Sequence, residues 1–179
     1  MQISVPEPYL VESEPASEWL LGAPVQKVSP RYTHALLQRL LATELGEWSR
    51  GRGRVGTEWR FWLTPPGEPA RYFVPDIAYL SYARLAREAR EEAQEPAMAP
   101  EVAVEIRSPD DRNLHVLHKI DVYLRSGTAL VASVDPERRR IALHDRETEL
   151  LLVPGDVFGH RALPGFSLEV ARLFSALDE

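Results

Sequence analysis

The chain has 179 residues, 44% of them hydrophobic and 27% charged, with a formal net charge of −6. That length fits one domain with a real core, and the absence of cysteine excludes disulfides, thiolate metal sites and cysteine nucleophiles. The acidic balance argues against a broad electrostatic grip on nucleic acid, while leaving room for carboxylates gathered around a metal ion.

Residues 1–28 read as an N-terminal arm. Its first fifteen residues, rich in Pro and Glu, are expected to be extended, and Ser17 to Gly22 to form a short helix closed by its glycine. Pro6, Glu7, Pro8, Glu12 and Glu14 stand where a secretory leader would carry a basic start and an apolar run. A continuous apolar run such as Ala129 to Ala132 is far too short to span a bilayer, so the expectation is a cytoplasmic protein with no membrane partner.

Residues 29–179 read as a single domain. Leu36, Leu37, Leu40, Leu41 and Leu45 recur at helical spacing and predict a helix over Pro30 to Glu47, with Ser29 as N-cap and Pro30 at the first position. Gly51-Arg52-Gly53-Arg54 reads as a flexible break. Thr57 to Leu63 alternates as a strand, with Glu58, Arg60 and Trp62 on one face. The turn Pro65-Pro66-Gly67 returns it through Arg71 to Val74, which Asp76 to Tyr79 extends. Ser81 to Gln94, rich in Ala, Arg and Glu, predicts an exposed helix ended by Pro96. A strand follows at Val102 to Ile106, then a helix from about Asp111 to Arg125 burying Leu117, Ile120 and Leu124 and ended by Gly127. Ala129 to Val134 predicts a strand buried on both faces, turning at Asp135-Pro136-Glu137-Arg138 into Ile141 to His144. Glu149 to Val153 and Phe166 to Val170 predict further strands, and Ala171 to Leu177 a closing helix. The sum is an α/β domain with a mixed central sheet.

The chemistry concentrates between Val74 and Tyr123. In the strand Val102 to Ile106, Glu105 shares a face with Glu101, Ala103 and Arg107, and a carboxylate so placed is costly to desolvate without a positive partner. Arg107 on that face is one candidate partner. Asp76 ends another apolar run, and Lys119 follows on the next helix, flanked by Val116 and Tyr123, where its stem can run along apolar surface. Taken singly, Asp76 reads as a turn-capping carboxylate and Lys119 as a snorkelling surface lysine. Together, two carboxylates and an ammonium suit hydrolysis of a phosphodiester with Mg²⁺ (or Mn²⁺) held by Asp76, Glu105 and the main-chain carbonyl of Ile106. Lys119 would orient the attacking water or neutralise the developing oxyanion.

This pattern resembles the PD-(D/E)xK nuclease superfamily, and more closely its bacterial branch of small restriction-endonuclease-like proteins of the Uma type. The resemblance covers about Ser29 to Val170 and is carried by Glu58, Val74-Pro75-Asp76, Val104-Glu105-Ile106-Arg107-Ser108-Pro109, Lys119, Tyr123, Gly127 and Val134-Asp135-Pro136. It implies a restriction-endonuclease-like mixed central β-sheet of four or five strands flanked by helices, with metal-dependent nuclease activity. Where the superfamily pattern has lysine two residues after the strand glutamate, this chain has Arg107, which cannot accept a proton, and Lys119 looks like the migrated replacement. Glu58 matches a position often acidic in that branch, as a second metal ligand or a hydrogen-bond partner of the site.

Further supporting candidates are Glu44, against which helix-face solvation is weighed, and His34 as a phosphate contact, against which a surface histidine is weighed. The histidines lack the His-Glu-x-x-His spacing of zinc hydrolases. The arginines clustered from Arg50 to Arg60 and from Arg138 to Arg140 offer phosphate contacts, or a solvated face. The expected activity is that of a Mg²⁺-dependent endonuclease acting on nucleic acid, with DNA the expected polymer. A homodimer is expected because cutting both strands of a duplex suits two-fold symmetry. The alternative is a catalytically degenerate nucleic-acid-binding or interaction protein on the same fold.

Overall fold

Every residue of Ile77–Ser81, Val102–Ile106 and Leu130–Asp135 is buried, as expected of strands in the middle of a sheet covered on both faces. The computed structural model describes residues 17–27, 30–109 and 111–179. In chain order its elements are β1 (Ser17–Leu20), β2 (Ala23–Gln26), α1 (Tyr32–Trp48), β3 (Gly53–Thr57), β4 (Phe61–Leu63), β5 (Arg71–Phe73), β6 (Ile77–Ser81), β7 (Val102–Ile106), α2 (Asn113–Ser126), β8 (Leu130–Asp135), β9 (Arg140–His144), β10 (Glu149–Leu152), β11 (Val157–His160), β12 (Leu163–Glu169) and α3 (Val170–Ser175), with a short 3₁₀ turn at Ala176–Asp178.

The central sheet has six strands in the order β10-β9-β8-β7-β6-β3, one or two more than the resemblance implies. β7 and β8 run parallel, joined by the crossover through α2, and the other neighbours are antiparallel. On one face, Val102, Val104 and Ile106 meet Leu37, Leu41 and Leu45 of α1, with Phe158, Phe166, Leu173 and Phe174 closing the layer. On the other, Ala103 and Val131 meet Ile120, Val122 and Tyr123 of α2, together with Phe61 and Phe73. Gly127, at φ 106°, ends α2 in the left-handed conformation.

Several sequence expectations give way. Ser17 to Gly22 is not a helix: β1 and β2 form a hairpin, with Leu21 and Gly22 both at positive φ in its two-residue turn. Ser81 to Gln94 is not a helix either. Ser81 ends β6, and the turns beyond it give the carbonyls of Leu85, Ala86 and Arg87 to the Arg54 guanidinium at 2.9 Å each. Held to Arg54 from outside the segment, the backbone there closes isolated turns, such as Ala89 N–H to the Ala86 carbonyl at 3.1 Å, rather than a continuous helix. Gly51 to Arg54 leads into a paired strand rather than a flexible break, and that strand ends before Glu58, whose φ of 48° separates β3 from β4. β4 and β5 do pair as a hairpin, but after Pro75 the chain enters the main sheet as a separate strand. Leu117 is 58% exposed; α2 buries Lys119, Ile120, Val122 and Tyr123 instead. Arg31 takes the N-cap position of α1 with no side-chain cap, and Ser29 lies outside the described residues.

The basic clusters are largely committed to internal contacts. Arg60 pairs with Glu95 at 2.9 Å, Arg138 and Arg140 with Asp135, and Arg139 with Asp178. No helix among the described residues is long and apolar enough to cross a membrane.

Candidate active site

The antiparallel register Ile77↔Val104 puts Asp76, one residue earlier, beside Glu105, one residue later, on one face of the sheet. That is how two strands deliver two carboxylates to one place. α2, packed over that face, brings Lys119 with it. All three line a single cleft of about 700 Å³, whose wall also includes Glu18, Lys27, His34, Gln38, Glu58 and Ile106.

Lys119 Nζ lies 2.6 Å from Glu105 Oε2 and 2.8 Å from Glu18 Oε2. Tyr123 donates its hydroxyl proton to Glu105 Oε1 at 2.9 Å. The partner of Glu105 is therefore Lys119, not Arg107. The Arg107 guanidinium turns to Asn113 Oδ1 and to Asp135, 3.9 Å away. Asp76 Oδ2 accepts the Ile106 backbone N–H at 2.7 Å and faces His34 Nε2 at 3.2 Å, while Asp76 Oδ1 lies 3.0 Å from Lys27 Nζ. Glu58, held by Gln38 Nε2 at 2.9 Å, places Oε2 2.7 Å from the same Lys27 nitrogen.

Burial works against charge on Asp76, but the His34 hydrogen bond and the lysines hold its carboxyl well below the usual carboxylate range. Burial also opposes charge on Lys119, which Glu105, Glu18 and Asp76 outweigh, raising it above ordinary lysine; Lys119 is a fixed cation, not a base. His34, against the cost of burial, is raised by Asp76. Glu105 is pushed up to about 7 by burial, with Asp76 and Glu18 adding to it. The short Lys119 contact pulls the other way without prevailing, because Glu18 shares that ammonium.

A carboxyl whose folded pKa lies above its unfolded value contributes most to folding below the unfolded value, and that contribution is lost as pH rises through the folded one. In chelator, the stability of the wild type relative to Glu105→Gln should therefore decline as pH rises from the ordinary carboxylate range toward neutrality. Urea unfolding of both proteins across that range checks it; a flat difference counts against the assignment.

The sequence candidates divide accordingly. Asp76, Glu105, Lys119, Tyr123, Glu58 and His34 come together; His34 is buried against Asp76 in the cleft lining rather than standing as a surface histidine. Arg107 lines the cleft without joining the carboxylates. Glu44 lies outside the cleft's lining, paired with Arg172 of α3 at 2.5 Å. Sequence reasoning missed Glu18, whose Oε1 also accepts the Val74 N–H at 2.8 Å, and with it Lys27 and Gln38. Gln38 had a signal: it stands one helical turn after His34.

Among the described residues, no cluster of three or more His, Asp or Glu side chains is arranged to hold a metal ion. The donor set is nonetheless a hard, all-oxygen one. The Lys27 ammonium acts as a stand-in cation in it, contacted by Glu58, Asp76 and the Val74 carbonyl. Two carboxylates with main-chain oxygen and water suit Mg²⁺, which rarely takes an all-protein cage.

The solved structure of a "putative nuclease belonging to DUF820" from Anabaena variabilis is similar to this chain, with a TM-score of 0.82, 26% identity and 94% of each chain covered. Fold and site together place the protein in a class: nuclease-like α/β proteins built on a restriction-endonuclease-like sheet. Its family is read from the sequence itself. Residues 6–171 match Uma2, described as "Putative restriction endonuclease", and the chain belongs to that family. No curated protein matches it.

Proposed function

We propose that the protein is a Mg²⁺-dependent endonuclease, Mn²⁺ being a substitute, that hydrolyses phosphodiester bonds in DNA. The observation that carries this is the convergence of Asp76, Glu105 and a permanently charged Lys119 on one open cleft. Asp76 and Glu105 would hold the metal, with the main-chain carbonyl of Ile106 as a further ligand. Once bound, the ion supplies the positive charge that acidifies water and shields the scissile phosphate.

The chain's own groups supply the rest. The Ile106 N–H and His34 fix one oxygen of Asp76, leaving the other to bind a cation. Tyr123 fixes one oxygen of Glu105. Lys119 spends two of its three N–H donors on Glu105 and Glu18, which leaves one for the attacking water or a phosphate oxygen. Arg112 and His115 at the cleft wall would meet the polymer's phosphates. Two-fold pairing of protomers would suit cleavage of both strands, and light scattering reads that. The cysteine-free composition suits a reducing cytoplasm.

The test uses the wild type, stripped with chelator and titrated with Mg²⁺ or Mn²⁺, on plasmid, linear duplex, single-stranded DNA and RNA. Metal-dependent cleavage of DNA is the expected result. Binding of metal or DNA with no cleavage would instead establish the second reading, a degenerate binding protein, which the diversion of Arg107 to Asp135 and the net acidity favour.

A further inference from the structure

The chain contains two lysines, Lys27 and Lys119, among its 21 basic Lys and Arg residues, and both point into the same cleft. Lys119 has a role in the proposed chemistry. Lys27 has none, yet its Nζ sits among three oxygens: Glu58 Oε2 at 2.7 Å, the Val74 carbonyl at 2.8 Å and Asp76 Oδ1 at 3.0 Å. An ammonium has three N–H donors, and all three are used. Such a tripod of two carboxylates and a main-chain carbonyl is the kind of oxygen seat that a small hard cation takes.

Two cations cannot share it. The ion proposed for Asp76 and Glu105 would bind Asp76 Oδ1, the oxygen that Lys27 holds at 3.0 Å; with Mg²⁺ about 2.0–2.1 Å from that oxygen, the two charges would be close enough to repel strongly. The cleft is lined by five acids, Glu18, Glu58, Asp76, Glu105 and Asp111, against four lysine and arginine cations, Lys27, Lys119, Arg107 and Arg112. The acids still outnumber those cations with Lys27 in place, and a divalent ion supplies more positive charge than the ammonium does. Withdrawal needs no change of fold: Lys27 follows β2, whose residues are mostly exposed, and its flexible four-carbon stem has only to swing outward.

We infer that Lys27 is a built-in competitor for the divalent cation, seated on Glu58, Val74 and Asp76 in the metal-free protein and expelled when the metal binds. It holds the carboxylates apart from one another's repulsion and sets the metal concentration at which the site loads. This rests on reading the cleft as a cation site, and the experiment separates the two. Mn²⁺ affinity is measured by paramagnetic resonance for the wild type and for Lys27→Met, with Lys27→Gln used should the first fail to fold in chelator. Removal of the competing charge is expected to tighten binding at least tenfold. In parallel, ¹⁵N-lysine labelling gives two side-chain signals; on Mg²⁺ addition the Lys27 signal should move to the position and rapid exchange of a solvated ammonium while that of Lys119 stays protected. Equal or weaker Mn²⁺ affinity in the variant, or a Lys27 signal unmoved at metal saturation, overturns the inference and leaves the cation site standing. No Mn²⁺ binding by either protein overturns both.

Discussion

Asp76→Asn should lower metal-dependent cleavage by at least three orders of magnitude while the protein still folds. The carboxylate is held well below the usual carboxylate range despite its burial, with Oδ2 met by the Ile106 N–H and His34 and Oδ1 by the Lys27 ammonium. A neutral amide cannot offer a divalent ion the charge it needs, and the loss of several kcal/mol of charge stabilisation at the reacting phosphate corresponds to about 10³-fold in rate. The same substitution also sets a donor against a donor. With the amide nitrogen in either orientation, it meets the Ile106 N–H and His34 or else the Lys27 ammonium, and a mispaired buried polar group costs about 1–3 kcal/mol. Circular dichroism melts therefore accompany the cleavage assay, so that a lowered folded fraction is not mistaken for lost chemistry. Activity within tenfold of the wild type, in protein shown to be folded, would remove Asp76 from the chemistry.

The pieces legible in the sequence were those in which a local pattern and a tertiary role coincide. Val102, Val104 and Ile106 alternate against Glu105, and the structure seats them on the α1 side while Glu105 faces α2. Asp76 and Lys119 were legible for a related reason: β6, β7 and α2 follow one another in the chain, and elements consecutive in sequence tend to be neighbours in space. What failed was read from composition without a partner. Ser81 to Gln94 has helix-forming residues, but Arg54, from a strand thirty residues earlier, takes its carbonyls, and no local window contains that fact. Leu117 fits the apolar spacing of α2, yet the helix is rotated so that Lys119 and Tyr123 face inward to meet Glu105. A buried charge cluster there outweighs the placement of one leucine. The hairpin of β1 and β2 was hidden because Leu21 takes a positive φ that leucine seldom adopts. With it went Glu18 and Lys27, two of the groups in the cleft, for which the sequence offers no spacing rule because their partners lie 31 to 101 residues away, as the numbering of Lys27, Glu58, Glu18 and Lys119 shows.

Lys119→Met should be the most destabilising single substitution at the site. Lys119 is 8% exposed, and its ammonium pairs with both Glu105 and Glu18, themselves 8% and 4% exposed. Methionine fills nearly the same volume, so packing against Val116 and Tyr123 changes little and the effect isolates charge. Breaking a buried pair from one side leaves the opposite charge uncompensated, at about 3–5 kcal/mol. Two carboxylates share this ammonium, so the upper half of that range is expected, lowering the melting temperature by roughly 8–20 °C for a domain of this size. The cost has a built-in control. Taking up a proton relieves a stranded Glu105, so the Lys119→Met protein should recover part of its lost stability as pH is lowered toward 5, the reverse of an ordinary cavity defect, which is indifferent to pH. Adding Glu105→Gln and Glu18→Gln to Lys119→Met should restore stability near neutral pH without restoring cleavage. Urea unfolding of the single and triple variants at two pH values reads both effects. A loss below about 1 kcal/mol in the single variant, or one equal at both pH values, would mean that Lys119 is not the cation on which these buried acids depend.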